Sequence, residues 1–190
     1  MPDKHYANVI GIDDAPFDRQ SREAVPVVGA VFAGLRFDGV LLDRVERDGH
    51  DATRVVARMI MRSRFDAHIQ LVMLQGITLA GFNVIDAREL HVQLGRRPVL
   101  VVARREPQGD TIRQALKRHI PGGREKWRAI EKLGPMESAG PVFIQRVGLS
   151  YGQARTVLDR FTRHGHIPEP IRVAHLIAGA VGCGHSRGHA

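Results

Sequence analysis

Apolar residues fall first in three short blocks along the chain, and after residue 50 in blocks that alternate with amphipathic stretches. Residues 8–14, Asn-Val-Ile-Gly-Ile-Asp-Asp, form an apolar run closed by two carboxylates, the pattern of a short buried strand. Residues 25–32 and 40–46 are two more such runs, parted by the turn formers Gly34, Asp38 and Gly39. Three successive antiparallel strands are therefore predicted. At Asp51-Ala52-Thr53 the period changes: Asp51 stands as an N-cap acid ahead of a Val55, Val56, Met59, Ile60 stripe, which predicts a helix. Residues 69–74 predict a fourth strand, Gly76 and Gly81 bound an uncharged loop, and 84–94 reads as helix. The run 98–103, Pro-Val-Leu-Val-Val-Ala, is uninterrupted and β-branched, as expected of a strand buried on both faces. Polar helices at 110–119 and 123–133, a short strand at 142–145, and helices at 150–163 and 170–181 complete the order.

Three antiparallel strands followed by alternating helices and strands predict an α/β fold with a mixed sheet of the ribonuclease-H-like plan. At 190 residues with ordinary apolar and charged fractions, the chain reads as a single domain over 1–182 with a flexible Gly- and His-rich tail at 183–190. No apolar run is long enough to cross a bilayer, and Asp3, Lys4, Asp13, Asp14 and Arg19 interrupt the first twenty residues, which argues against a signal peptide. A lone cysteine, Cys183, excludes an intrachain disulfide and a Cys-rich zinc cluster, so a cytoplasmic protein is expected.

Charge sharpens this picture. The formal net charge is +8, yet residues 1–50 carry six Lys/Arg against nine Asp/Glu, and residues 51–190 carry 22 against 11. An acidic start on a basic body suits an enzyme acting on nucleic acid, in which cationic surface holds phosphates and carboxylates hold a metal. A merely solvated basic surface is the plainer alternative.

The acids at strand ends are the first candidates. Successive side chains on a strand point to opposite faces, so Asp13 and Asp14 cannot share one job, and Asp13 is preferred because it continues the apolar strand. Asp48-Gly49-His50-Asp51 places two carboxylates and an imidazole at a strand-to-helix junction, although Asp51 also reads as a simple N-cap. In the uncharged loop, Gln75, Gly76, Phe82 and Asn83 are candidate substrate contacts, Phe82 by stacking on a base and Asn83 by hydrogen bonding. Arg104 and Arg105 follow the buried strand, where a phosphate-contacting cation is useful. Near the C-terminus, Pro168-Glu169-Pro170-Ile171-Arg172-Val173-Ala174-His175 opens a helix with proline in its first turn. Glu169 stands at its positive end, and Arg172 and His175 are spaced to share a face. No dinucleotide or Walker pattern and no nucleophile elbow occurs. His164, His166, His185 and His189 lack a metal-ligand spacing.

These motifs, taken together over nearly the whole chain, resemble the family catalogued as domain of unknown function 99, which is related to endonuclease V and associated with cleavage at deoxyuridine. The residues that carry the resemblance are Gly11-Ile12-Asp13-Asp14, Asp48-Gly49-His50-Asp51-Ala52-Thr53, Gly81-Phe82-Asn83-Val84-Ile85-Asp86, Pro98 through Arg104, and Pro168 through His175. The resemblance implies an Mg²⁺-dependent endodeoxyribonuclease, with Mn²⁺ as a stand-in, that hydrolyses a phosphodiester near a deaminated base, deoxyuridine first. It implies a role in DNA repair, with single-stranded or deaminated DNA as partner. By this analogy Asp13 is a metal ligand, Asp48 or Asp51 the second carboxylate, Arg104 the basic residue after the central strand, and His175 the last residue of the helix motif. The catalytic set is then Asp13, Asp48, Asp51, Arg104 and His175, with Asp13, Asp51 and His175 at the metal and Arg172 beside the substrate. Two departures stand out. Where endonuclease V places Asp-Gly at the end of the fourth strand, this chain has Gln75-Gly76, a weaker donor for a hard cation, which favours one metal over two. No Pro-Tyr-Ile-Pro wedge lies between residues 34 and 50. The alternative is a catalytically weakened nucleic-acid-binding protein that keeps the fold.

Overall fold

The computed structural model describes residues 6–18, 20–21, 23–106 and 109–186. Nine strands and six helices are found among them: β1 Asn8–Asp14, β2 Val25–Ala33, β3 Arg36–Val45, α1 Ala52–Met61, β4 Leu71–Gln75, β5 Thr78–Leu79, β6 Asn83–Val84, α2 Ala87–Gln93, β7 Val99–Ala103, α3 Gly109–His119, α4 Gly123–Leu133, β8 Glu137–Ala139, β9 Val142–Val147, α5 Tyr151–Phe161 and α6 Glu169–Cys183. The main sheet has the order β3-β2-β1-β4-β7-β9-β8, with β5 and β6 as a separate hairpin. β1 is antiparallel to β2, β2 to β3, and β7 to β9, while β1, β4 and β7 run parallel. This is the mixed α/β sheet expected from the element order.

The two faces of β1 explain the helix layers. Gly11 lies so close to the first turn of α6 that a Cβ there would overlap the Pro170 carbonyl group, so only glycine lets the helix seat on the strand. Ile10 and Ile12 point the other way, and a Cβ on neighbouring Gly29 would meet both of them and Met59 of α1. Thus α6 covers the odd face of β1 and α1 the even face. β4 and β7 are almost wholly buried, as their continuous apolar runs require. Among the described residues no helix is long and apolar enough to cross a membrane.

Several boundaries differ from the pattern-based expectation for physical reasons. Asp38 and Gly39 belong to β3 rather than to a turn: Asp38 pairs with Arg36, and the absent Cβ of Gly39 leaves room for the Phe65 ring. The reversal is made by Gly34 at φ +59°. The helix expected from residue 84 starts at Ala87, because the Asp86 carboxylate caps the Arg88 and Glu89 N–H groups and Asn83 and Val84 pair with β5 instead. The segment β8 is too short to show a period. Helix α6 runs on through Cys183, and positions 187–190 of the expected tail, His189 among them, lie outside the described residues, as do Asp3, Lys4 and Arg19.

Candidate active site

β1, β4 and β7 are parallel, so their C-terminal ends share one edge of the sheet. β3 runs in the same sense as β1 through two antiparallel steps, so the β3–α1 loop reaches that edge too. Ligands of α/β sheets are bound at this kind of edge. It carries Asp13, Asp14, Asp48, Asp51, Gln75 and Arg104.

Asp13 ends the odd face of β1 and is 5 % exposed. Its Oδ2 lies 2.7 Å from His175 Nδ1 on α6, a separation of 162 residues in sequence. The seating of α6 on Gly11 sets this distance, because it fixes the helix one turn before His175. Asp14 points to the even face, where its Oδ2 accepts the Ala80 N–H at 2.9 Å. Burial, and then the charge of Asp13, push the Asp14 carboxyl up to about 6, against the Ala80 N–H and His175, which pull it down.

Ala80 joins Asp14 to Asp48 through its two backbone groups. Its carbonyl accepts the Asp48 N–H at 2.9 Å, and the Asp48 carboxylate accepts the Phe82 N–H at 2.8 Å. Ala80 and Asp48 both adopt left-handed backbone, at φ +46° and +52°. Such strain in non-glycine residues persists only where surrounding bonds over-determine it. A further bond comes from Lys126 of α4, whose ammonium donates to the Asp48 carbonyl at 2.5 Å. Lys126 is buried, which pulls its ammonium below its ordinary value, while the Asp48 charge raises it. Asp14, passed over in favour of Asp13, and Lys126, which carries no motif, are the two residues of this cluster outside the expected site set. Lys126 had a signal: it stands among Gly123, Trp127, Ile130 and Leu133 on the inward stripe of its helix, where an apolar residue is the norm.

Other expected site residues are placed differently. Asp51 occupies the N-cap position of α1 but makes no cap bond; its Oδ1 accepts the Glu46 N–H and the Asn83 Nδ2–H, at 3.1 and 2.6 Å. Asn83 is fully buried, donates also to the Glu46 carbonyl and accepts the Ala52 N–H. The Asn83 amide is therefore used up in joining β6 to α1, which takes it away from any base, and Asp51 belongs with it to that joint. Phe82 is half-buried at the hairpin tip beside exposed Gly81, and Gly76 turns the chain out of β4 at φ +73°. Arg172 folds back onto Glu169 in a two-pronged ion pair at 2.9 and 2.7 Å, so its charge is met within the first turn of α6 rather than offered with His175. Arg104 and Arg105 are exposed just beyond β7.

The donor set can be tested against a divalent cation. Among the described residues no three His, Cys, Asp or Glu side chains converge into a ready metal cage. Gln75 changes that result. It extends β4 one residue past the Ile12–Leu74 pair, beside Asp13 and on the same face, and its Oε1 is buried with no hydrogen-bond partner among the described residues. An orphaned acceptor next to a buried carboxylate and an imidazole, with the repelled Asp14 close behind, is an arrangement a cation would relieve. The residues present fit one such ion.

Known proteins agree with this fold. The chain is 50% identical over 182 residues to a UPF0215 protein of Deinococcus radiodurans, covering 96% of this chain and 92% of that one. It is 41% identical over 191 residues to a UPF0215 protein of Methanothermobacter thermautotrophicus, covering 98% and 93%. A crystal structure of an Archaeoglobus fulgidus protein superposes with a TM-score of 0.85 at 33% identity, covering 92% of this chain and 97% of that chain. Ciona intestinalis endonuclease V, solved with DNA containing an inosine, shares the fold at a TM-score of 0.56 and 16% identity, over 88% and 82% of the two chains. A family model described as endonuclease dU matches residues 5–182, and with these relatives it shows that the chain belongs to the endonuclease dU family.

Proposed function

We propose that this protein is a metal-dependent endonuclease that hydrolyses a phosphodiester of DNA near a deaminated base, with deoxyuridine as the first substrate to test. The observation that carries the reading is the Asp13–His175 pair at 2.7 Å on the sheet edge, beside the unpartnered oxygen of Gln75. Membership of the endonuclease dU family and the endonuclease V-like fold support the reaction class.

Asp13 and Gln75 would hold Mg²⁺, with His175 at its border and Asp14 adding a second negative charge behind the strand. When bound, the ion supplies Lewis acidity and neutralises phosphate charge. His175, oriented through Nδ1 by Asp13, moves a proton during the addition of water across one P–O bond, which leaves one hydroxyl and one phosphate end. Arg104, exposed at the end of β7, meets charge that builds on the phosphate. The Asp48 loop shapes the opposite wall, and half-buried Phe82 offers a face on which an unstacked base can lie.

The test is a nicking assay on oligonucleotides with one deoxyuridine, one deoxyinosine or no modified base, in Mg²⁺ and in Mn²⁺. Cleavage that favours deoxyuridine and disappears in Asp13→Ala is the expected result. No cleavage with either ion, in a protein that still binds the oligonucleotide, would leave a binding protein on a nuclease fold.

A further inference from the structure

Helices α3 and α4 form a hairpin between β7 and β8 whose exposed face the proposed chemistry does not use. α4 packs on α2, β6 and β9, but α3 packs on α4. Leu116 is the one buried apolar anchor described on α3, and it lies outside the main core. The two helices touch where Gly123 meets the Leu116 carbonyl, a spot with no room for a Cβ. α3 is therefore the outlying limb of an arm that α4 joins to the body.

Its charge is uneven in a telling way. Residues 104–132 hold nine Lys/Arg against four Asp/Glu, so +5 of the chain's +8 lies in these 29 residues. Arg36, Arg58, Arg97, Arg146 and Arg172 elsewhere are held by carboxylates within 4 Å. On the arm, Arg104, Arg105, Lys117, Arg118, Arg124 and Arg128 are exposed and have no carboxylate within that distance among the described residues. Arg113 stands 5.8 Å from the centre of the Trp127 ring, a contact between α3 and α4. The arm is also anchored to the candidate site. Lys126 donates to the Asp48 carbonyl, and the His50 ring meets the Pro121 carbonyl at 3.1 Å at the apex between the helices.

We infer that the α3–α4 hairpin is a nucleic-acid arm, whose unpaired cations hold the sugar-phosphate backbone flanking the reacting nucleotide and whose apex fixes that backbone relative to the Asp48 loop. The inference rests on the nuclease reading for its choice of nucleic acid among polyanions. Arg104 stands on the sheet edge, and exposed Arg113, Lys117 and Arg118 carry positive charge along α3, which suits a polyanionic strand laid over this side of the molecule.

Fluorescence anisotropy with a labelled single-stranded oligonucleotide of about 20 nucleotides, in EDTA and over roughly 0.05 to 0.2 M salt, tests it without any cleavage. The charge reversal Arg113→Glu/Lys117→Glu/Arg118→Glu should weaken binding at least about 30-fold and flatten the slope of log Kd against log salt by about two units. The milder Arg113→Gln/Lys117→Gln/Arg118→Gln keeps the test valid if reversal disturbs folding, and should flatten the slope in the same direction. Arg62→Glu/Arg64→Glu/Arg96→Glu removes three exposed cations, likewise without a carboxylate within 4 Å among the described residues, from the opposite edge of the sheet, and should cost far less. Equal losses in the two reversals, or wild-type binding by the arm variants, would overturn the inference. So would tight binding to phosphatidylglycerol vesicles that needs the arm while oligonucleotide binding does not. Because no cutting is involved, a protein that fails to nick deoxyuridine can still pass or fail here.

Discussion

Two carboxylates on this molecule, Asp13 buried and Asp51 half-buried, have similar neighbourhoods and opposite meanings. Asp51 meets the Glu46 N–H and Asn83, and Asn83 in turn meets Glu46 and Ala52, so every strong donor and acceptor in that joint has a partner. Asp13 meets His175, but the next strand brings up a Gln75 oxygen that has none. A closed network of this kind rigidifies a fold, whereas an open one is costly unless something else completes it. The difference is why we place Asp51 in the joint between loop and helix and Asp13 in the proposed chemistry.

The sharpest way to break that comparison is to remove each carboxylate in turn. Asp13→Ala should lower the nicking rate on a deoxyuridine oligonucleotide on the order of 10³-fold or more. Asp51→Ala leaves the Asn83 Nδ2–H without its acceptor, while the exposed Glu46 N–H can turn to water, and should lower stability by about 1–3 kcal/mol, with a fall in Tm of roughly 3–10 °C. Its nicking rate per folded molecule should stay within about threefold of wild type. A stable Asp51→Ala protein that has lost cleavage would reverse the two assignments.

Asp14 gives a second contrast, between a carboxylate paired with an imidazole and one whose charge is opposed first by burial and then by Asp13. Its folded carboxyl titrates at about 6, above the ordinary value near 4, so between those pH values the folded chain binds more protons than the unfolded one. Stability from this residue is present at low pH and is lost as pH rises through that window, by up to about 3 kcal/mol. Urea midpoints taken from about pH 4 to 7 should show this decline in the wild type without metal and a flatter profile in Asp14→Asn. Mg²⁺ should flatten the wild-type profile as well, since a bound cation compensates the two adjacent charges. Parallel profiles for wild type and Asp14→Asn would remove Asp14 from the site's electrostatics.

How far these roles could be read in the sequence depends on what fixes them. The buried strands were legible because β1, β4 and β7 must be apolar on both faces, and the start of α6 because proline fixes a first turn. The β5–β6 hairpin was not legible, because two-residue strands have no period, and it is this hairpin that ties Asp14 to Asp48. Asp48 and Asp51 could not be told apart as the second carboxylate, and Asn83 read as a base contact; only the partners of each polar atom separate these roles. Gly11 shows the converse, a residue with no chemistry whose missing Cβ lets α6 bring His175 to Asp13.

The smallest expected effect tests the open network most directly. If the orphaned Gln75 oxygen exists for a cation, it is a liability in the metal-free protein, since a buried unpaired acceptor costs about 1–3 kcal/mol. Gln75→Leu keeps nearly the same volume and removes that atom, so the metal-free variant should melt a few degrees above wild type. The same change takes away one oxygen ligand, so the rise in Tm that Mg²⁺ produces in the wild type should shrink in the variant. The two shifts have opposite signs, which packing alone would not produce: a side chain that merely fills space would change Tm by the same amount with and without the ion. Identical Mg²⁺-dependent shifts in both proteins would show that Gln75 is as closed a matter as Asp51, and would leave Asp13 and His175 as a pair with no third member on β4.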